Sequence, residues 1–275
     1  MRLDAYVAKH WPEQSRSTWQ KLIDAGHVSV NREVVTSVKH DIREDDVVEV
    51  RELEVPDHSA SSLPVIYEDD DVIVIDKPVG VLTHSKGALN DEFTVAEFVR
   101  PKTTYKQDTN RPGIIHRLDR ATSGVIICAK NDDTASYLAR QFSQRTTKKQ
   151  YIAVVSGVPK EPEAVIDLPI GRSPSVPSTF RVEAGGKPAE TFYETVRSNL
   201  SHSLLRLSPK TGRTHQLRVH LAYINTPIVG DIVYGIERAD RMYLHAAQLE
   251  ITLPGGKRRV FESPVPAAFE TKAAE

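Results

Sequence analysis

The sequence predicts an α+β fold built on a mixed, largely antiparallel sheet, with a smaller α+β unit ahead of it. Three observations carry that expectation. After residue 65, short β-type runs outnumber helical ones and many are separated by only a few turn-forming residues, whereas a doubly wound parallel sheet places a helix between successive strands. Residues 54–64 hold Pro56, Ser59, Ser61, Ser62 and Pro64, the composition of a linker. Ahead of that linker, residues 1–53 pass from helical spacing to two short strands, as a small self-contained unit would.

In residues 1–53, Leu3, Tyr6 and Val7 have helical spacing. Ser15 is placed to cap a second helix, with Trp19, Leu22 and Ile23 as its apolar positions and Gly26 at its end, where glycine accepts a left-handed conformation. β-type runs follow at 28–30 and 47–50. In the main domain, residues 65–270, runs at 65–67 and 72–75 flank an acidic turn and read as a hairpin. Further strands are expected at 125–129, 151–155, 191–196 and 203–207. A helix is expected over 132–142, and another from Thr214 as N-cap, with Leu217, Leu221 and Ile224 on one face. Residues 269–275 read as a frayed tail.

Composition removes several function classes. The chain of 275 residues is 39% hydrophobic and 27% charged, a globular balance with enough apolar material for a sizeable core. No apolar run approaches the roughly 18 residues of a membrane span. The opening Arg2, Leu3 and Asp4 are not an apolar leader, so a cytoplasmic protein is expected. Cys128 is the single cysteine, which rules out an internal disulfide and a cysteine-cluster zinc site. A net charge of −1 is no polycation, but phosphate binding depends on where cations sit. Two acid-free groups stand out: Arg140, Arg145, Lys148 and Lys149, then Arg206, Lys210, Arg213 and Arg218.

The chemistry centres on the stretch from Gly113 to Val125, where Asp119 lies between Arg117 and Arg120 and a Thr122-Ser123-Gly124 turn feeds an apolar strand. A loop at a strand entrance can hold a carboxylate rigidly at a cleft. Taken alone, an aspartate between arginines is also an ordinary ion-paired surface loop. The full string His116-Arg117-Leu118-Asp119-Arg120-Ala121-Thr122-Ser123-Gly124 resembles the HRLDxxTSG motif of RluA-type pseudouridine synthases. Blocks at 70–80, 149–157, 211–220, 230–235 and 244–246 resemble that family's other motifs in the same order. The resemblance implies that Asp119 is the catalytic carboxylate and Tyr151 the active-site tyrosine. It also implies that Arg117 enters the space left by an extruded base, that Leu118 and Leu244 line the uracil pocket, and that His116 and Arg120 contact substrate. Residues 1–53 resemble an S4 RNA-binding domain, on Arg2-Leu3-Asp4, Ser15-Arg16, the run from Leu22 to Asn31, and Asp46 to Val50. That implies RNA as partner, with Ser15, Arg16 and Lys21 as contacts. Arg32 and Asp45 depart from the pattern, standing where it usually carries glycines.

Isomerising uridine requires breaking the N-glycosidic bond, turning the retained uracil and rejoining it through C5. An ionised carboxylate can act as nucleophile or stabilise positive charge at the sugar. Arg213, just before the expected helix, is predicted to reach Asp119 and hold it ionised. Tyr151 offers a flat face for a uracil and a hydroxyl as proton acceptor. The reaction is redox-neutral, so no cofactor is expected. His116, His215 and His220 lack the i, i+4 spacing and acidic third ligand of a zinc helix, so no metal is expected. An N-glycosidic hydrolase needs two carboxylates where the motif supplies one, and a non-catalytic RNA-binding scaffold would not need Asp119, Tyr151 and Arg213 together. The resulting expectation is a monomeric RNA pseudouridine synthase acting on large-subunit ribosomal RNA, with transfer RNA as the alternative.

Overall fold

The computed structural model describes residues 1–51, 58, 60–85 and 92–275; residues 54–57 and 59 of the expected linker lie outside them. The chain falls into two compact units, Met1–Ala60 with Ser85–Glu92, and Ser61–His84 with Phe93–Glu275.

In the first unit, α1 (Leu3–His10) and α2 (Arg16–Asp24) precede β1 (Val28–Val30), β2 (Glu33–Val34) and β3 (Val48–Val50), which pair antiparallel in the order β2-β1-β3. Ser15 caps α2 by accepting the Thr18 N–H at 3.2 Å. Leu3, Val7, Trp19, Leu22, Ile23 and Val28 form the core. Asn31 and Arg32 turn the β1–β2 hairpin with φ of 54° and 69°. Arg32 therefore occupies the left-handed conformation that a glycine adopts there without strain, so the turn keeps its geometry despite the departure from the S4 pattern.

The second unit is organised by a nine-stranded sheet. Its path runs β4 (Val65–Glu68), β5 (Val72–Lys77), β6 (Ser123–Ala129), β13 (Leu244–Thr252), β7 (Lys148–Ser156), β12 (His202–Pro209), β11 (Glu190–Ser198) and β8 (Glu163–Asp167), with β14 (Arg258–Glu262) on β13. A small two-stranded sheet pairs β9 (Ile170–Arg172) with β10 (Phe180–Val182). Every pairing in the large sheet is antiparallel except β6 with β13. The central strands are buried on both faces, with alternate residues in different cores. Ile73, Ile75, Ile126 and Cys128 pack with Val95 and Val99 of α3 (Val95–Val99). Val72, Val74, Val125 and Ile127 pack with Leu138 of α4 (Asp132–Gln144) and with Leu249 and Ile251.

Two expected elements differ. Helix α5 (Gln216–Tyr223) is preceded by His215 at the N-cap position, in a left-handed conformation with φ 57°, and Thr214 does not cap it. The turn is secured instead by the Gln216 amide oxygen, which accepts from the Thr211 hydroxyl (2.7 Å) and the Arg213 N–H (3.0 Å). The C-terminal residues, expected to fray, form α6 (Ala268–Ala274), with Phe269 fully buried against Val154, Leu204 and Tyr243. A helix this short is not stable on local propensity; the sheet supplies the burial that holds it.

The glycine of the Thr-Ser-Gly turn has a specific reason. Gly124 has φ +109°, and a β-carbon there would lie 2.2 Å from the Ala246 carbonyl oxygen, its partner in the parallel pairing. Gly157 also has positive φ (+86°) but faces open space. Gly157→Ala should cost about 1 kcal/mol of backbone strain, and Gly124→Ala roughly 2–4 kcal/mol because strand β6 must also move off β13. Denaturant midpoints of the two variants check this, and equal losses would exclude the close-approach explanation.

Candidate active site

Asp119 stands in the loop that enters β6, and that loop is braced from below. The Thr83 hydroxyl donates to the Leu118 carbonyl (2.8 Å) and accepts from the Leu118 N–H (3.2 Å). The Gly80 N–H donates to the Arg120 carbonyl (2.9 Å), and the Thr122 N–H to the Asp119 carbonyl (3.1 Å). Lys77, fully buried, donates to the carbonyls of Pro78 (2.9 Å), Val81 (2.8 Å) and, at 3.4 Å, Arg120. Burial lowers its ammonium to about 7, against the opposing pull of the Asp119 charge. Thr83 and Lys77 were not singled out from the sequence. Lys77 belongs to the 70–80 block and Thr83 follows closely, but neither spacing signals a contact some 35 to 43 residues away along the chain.

The Asp119 carboxylate is one-fifth exposed, and Arg218 Nη1 donates to its Oδ2 at 3.3 Å. The other edge of the same guanidinium grips Asp231, with Nε to Oδ2 at 2.6 Å and Nη2 to Oδ1 at 2.7 Å. Asp231 Oδ1 also accepts the N–H groups of Val233 and Tyr234. Burial raises the Asp231 carboxyl, but the Arg218 and backbone bonds outweigh it and hold the group below the ordinary range. The fork is thus immobilised by Asp231 and presents one free corner to Asp119.

This corrects the assignment to Arg213. Arg213 lies in the turn before α5, where its Nε donates to the Pro188 carbonyl at 3.0 Å. It borders the pocket but makes no bond to Asp119 among the described residues. Arg218 sits in the first turn of α5, and helical side chains lean back toward the N-terminus, which aims it at the Asp119 loop. His215 Nε2 lies 3.8 Å from Asp119 Oδ2, and its Nδ1 is 2.8 Å from the Tyr234 hydroxyl. Burial lowers the imidazole's affinity for a proton, against the attraction of Asp119.

Facing Asp119 across the pocket is Tyr151 on β7, with Leu118, Leu217, Leu244 and Thr122 around it. Burial raises the phenol, and the Asp119 charge adds to that shift. Tyr151 therefore carries its proton at neutral pH, which favours the ring face over the expected role as proton acceptor. Leu118 and Leu244 both line the pocket, and Arg117, also in its lining, is exposed. His116 is placed differently. Its Nε2 accepts the Ile127 N–H (3.1 Å), its ring stacks on Phe142 at 4.6 Å, and burial lowers it to about 3, so it shapes the loop as a neutral ring. Arg120 is exposed and outside the pocket lining; its carbonyl serves the brace.

In the first unit, Arg16 donates from Nε and Nη2 to the buried Asp4 carboxylate at 3.1 Å, alongside Arg2 and Gln20, so much of its donor capacity is spent within the unit. Ser15 is occupied as the α2 cap and Lys21 is exposed. Among the described residues, no group of three His, Cys, Asp or Glu side chains could hold a metal ion, and no helix is long and apolar enough to cross a membrane.

One carboxylate bonded by a fixed arginine, beside an aromatic face and apolar walls, suits a planar base attached to a sugar whose anomeric carbon becomes electron-poor. Comparison with known proteins agrees. Residues 71–223 match the RNA pseudouridylate synthase family model and residues 1–48 the S4 domain model. The ribosomal large subunit pseudouridine synthase D of Nitrosomonas europaea is 37% identical, over 97% of this chain and 81% of that protein. Its namesake from Borreliella burgdorferi is 36% identical, over 98% of this chain and 87% of its own. The solved structure of human RNA Pseudouridylate Synthase Domain Containing 1 superposes with a TM-score of 0.62 at 28% identity, covering 74% of this chain and 84% of that one. Motif, fold and nearly end-to-end relatives agree, and the chain belongs to the RNA pseudouridylate synthase family.

Proposed function

We propose that this protein converts uridine to pseudouridine in large-subunit ribosomal RNA, as a cytoplasmic monomer. The observation that carries the chemistry is the Asp119 carboxylate held on the free corner of the Arg218 fork, opposite Tyr151. The target uridine leaves its stack at a cost of a few kcal/mol, and its uracil lies on the Tyr151 face between Leu118 and Leu244. The C1′–N1 bond breaks with its electron pair going to the uracil, while Asp119 bonds to or faces C1′. After the uracil turns, the C5–C1′ bond forms, any Asp119–C1′ bond breaks with its electron pair returning to the carboxylate, C5 loses a proton and N1 gains one, so composition is unchanged. The single carboxylate supports isomerisation over hydrolysis, since Asp231 is fully engaged by Arg218 and does not supply the second acid a glycosidase uses. The ribosomal target is supported by the relatives named for that activity. The monomer is supported by a site whose side chains all come from one unit of one chain. Mapping pseudouridines in cells with and without the protein tests the target; loss confined to transfer RNA would replace the ribosomal reading.

The S4 unit is expected to supply affinity rather than chemistry. Phosphate contacts release counterions, so each adds about 0.7–0.9 to the slope of log affinity against log salt. A truncated chain beginning near residue 60 should bind RNA more weakly with a shallower slope, yet keep its single-turnover rate at saturating protein. Equal affinities and slopes would make residues 1–53 a structural cap.

A further inference from the structure

A second cleft adjoins the catalytic pocket. It shares Arg117, Lys149, Tyr151 and Arg213 with that pocket and continues past them to Phe142, Arg145 and Lys210. Among the described residues, no carboxylate lines it. Several exposed cations elsewhere on this unit are matched: Lys148 and Arg258 with Glu250, Arg206 with Glu194, and Arg197 with Glu270. Lys210, at the edge of the cleft, pairs with Glu190. Arg117, Arg145, Lys149 and Arg213 have no carboxylate partner among the described residues. Cations gathered in a cleft without counter-charge repel one another, and an anion entering the cleft relieves that repulsion.

Lys149 is the most telling of the four. It is half-buried on β7, two residues before Tyr151, and its ammonium makes one bond, to the Thr211 carbonyl at 3.1 Å. Two of its three donors remain for a ligand. Burial lowers it to about 8, the cost of holding a charge there without an anion. Arg145 approaches from the other wall, on the residue that ends α4 in a left-handed conformation (φ 58°, ψ 32°). That conformation turns the chain at the cleft edge, and the exposed guanidinium there has no partner among the described residues.

We propose that this cleft is a subsite for the RNA phosphodiester backbone beside the target uridine, with Lys149 and Arg145 as its phosphate contacts. Extruding the uridine into the Tyr151 pocket displaces the adjoining phosphates with it, and the cleft opens where such a strand leaves the pocket. The inference rests on the proposed function only in taking RNA as the ligand, not in which RNA is modified.

The test is salt-dependent binding of a single-stranded oligouridylate to the full-length protein, which needs no knowledge of the natural target. Arg145→Gln and Lys149→Gln should each flatten the slope of log affinity against log salt by about 0.7, the value for one single-strand phosphate contact. Arg145→Lys and Lys149→Arg should keep most of the slope. Arg258→Gln, which removes a cation already paired with Glu250, should leave it unchanged. Slopes equal to that of the unaltered protein in both neutral variants would overturn the proposal, as would weakened binding with an unaltered slope, since packing damage does not change the number of ions released. Failure to find the protein's pseudouridines in large-subunit RNA would remove the ribosomal reading and leave this measurement intact.

Discussion

Asp119→Asn should abolish pseudouridine formation, lowering the single-turnover rate by about 10⁴-fold or more, the scale on which enzymes lose a reacting group. The replacement is isosteric and keeps an acceptor for Arg218 Nη1, so the pocket should survive it. What is lost is the negative charge and the nucleophilic oxygen facing C1′. Folding should change little, because Asp119 is partly exposed and the Arg218–Asp231 bidentate pair stands without it. Tritium release from RNA labelled at uridine C5, beside thermal unfolding and RNA affinity, separates the two effects. Turnover within tenfold of the unaltered protein would remove Asp119 from the chemistry.

Arg218→Gln should damage both activity and stability, and the two losses can be separated. Activity should fall by about 10²–10³-fold, the usual loss on removing a fixed electrostatic partner. Stability should fall by about 3–5 kcal/mol, because Asp231 is left as a buried carboxylate without its counter-ion. Adding Asp231→Asn removes that lone charge, so the double variant should regain much of the stability and none of the activity. Arg218→Lys keeps a charge but not the fork, and a single ammonium cannot hold both carboxylates in this geometry. Acid dependence gives a further reading. Asp231 is held below its unfolded value in the folded protein, so its contribution is complete above the ordinary aspartate range near 3.9 and is lost as pH falls through its lowered folded value. That acid limb should shrink in Asp231→Asn. By contrast, Arg213→Ala should weaken RNA binding and leave the single-turnover rate at saturating protein nearly intact; a loss matching that of Arg218→Gln would restore Arg213 as the partner of Asp119.

The contrast between these two arginines shows where local reading stops. Both lie in the 211–220 block, and both precede or open a helix. The expected cap at Thr214 makes Arg213 the residue facing the helix end, whereas the helix begins at Gln216 after a left-handed His215. Successive helical residues are about 100° apart around the axis, so a small error in the start redirects every side chain near it. The turn that sets the start is held by Gln216 bonds to Thr211, Glu190 and Thr191, two of which come from strand β11. No spacing within residues 211–220 encodes that.

Contiguous patterns were legible because their physics is local: the continuous apolar runs that bury both faces of β5 and β6, the Ser15 cap, the antiparallel-rich sheet, and a motif that places Asp119, Leu118 and Thr122 on one short loop. The sequence by itself thus determined the fold class and the family, and marked Asp119 as the candidate carboxylate. Tertiary structure alone decided which arginine holds Asp119, that burial raises the Tyr151 phenol, that Thr83 and Lys77 brace the loop, and that the last helix docks through Phe269. Each of these depends on burial or on contacts between residues far apart in the chain, and desolvation and hydrogen-bond geometry exist only once the strands that carry them have met.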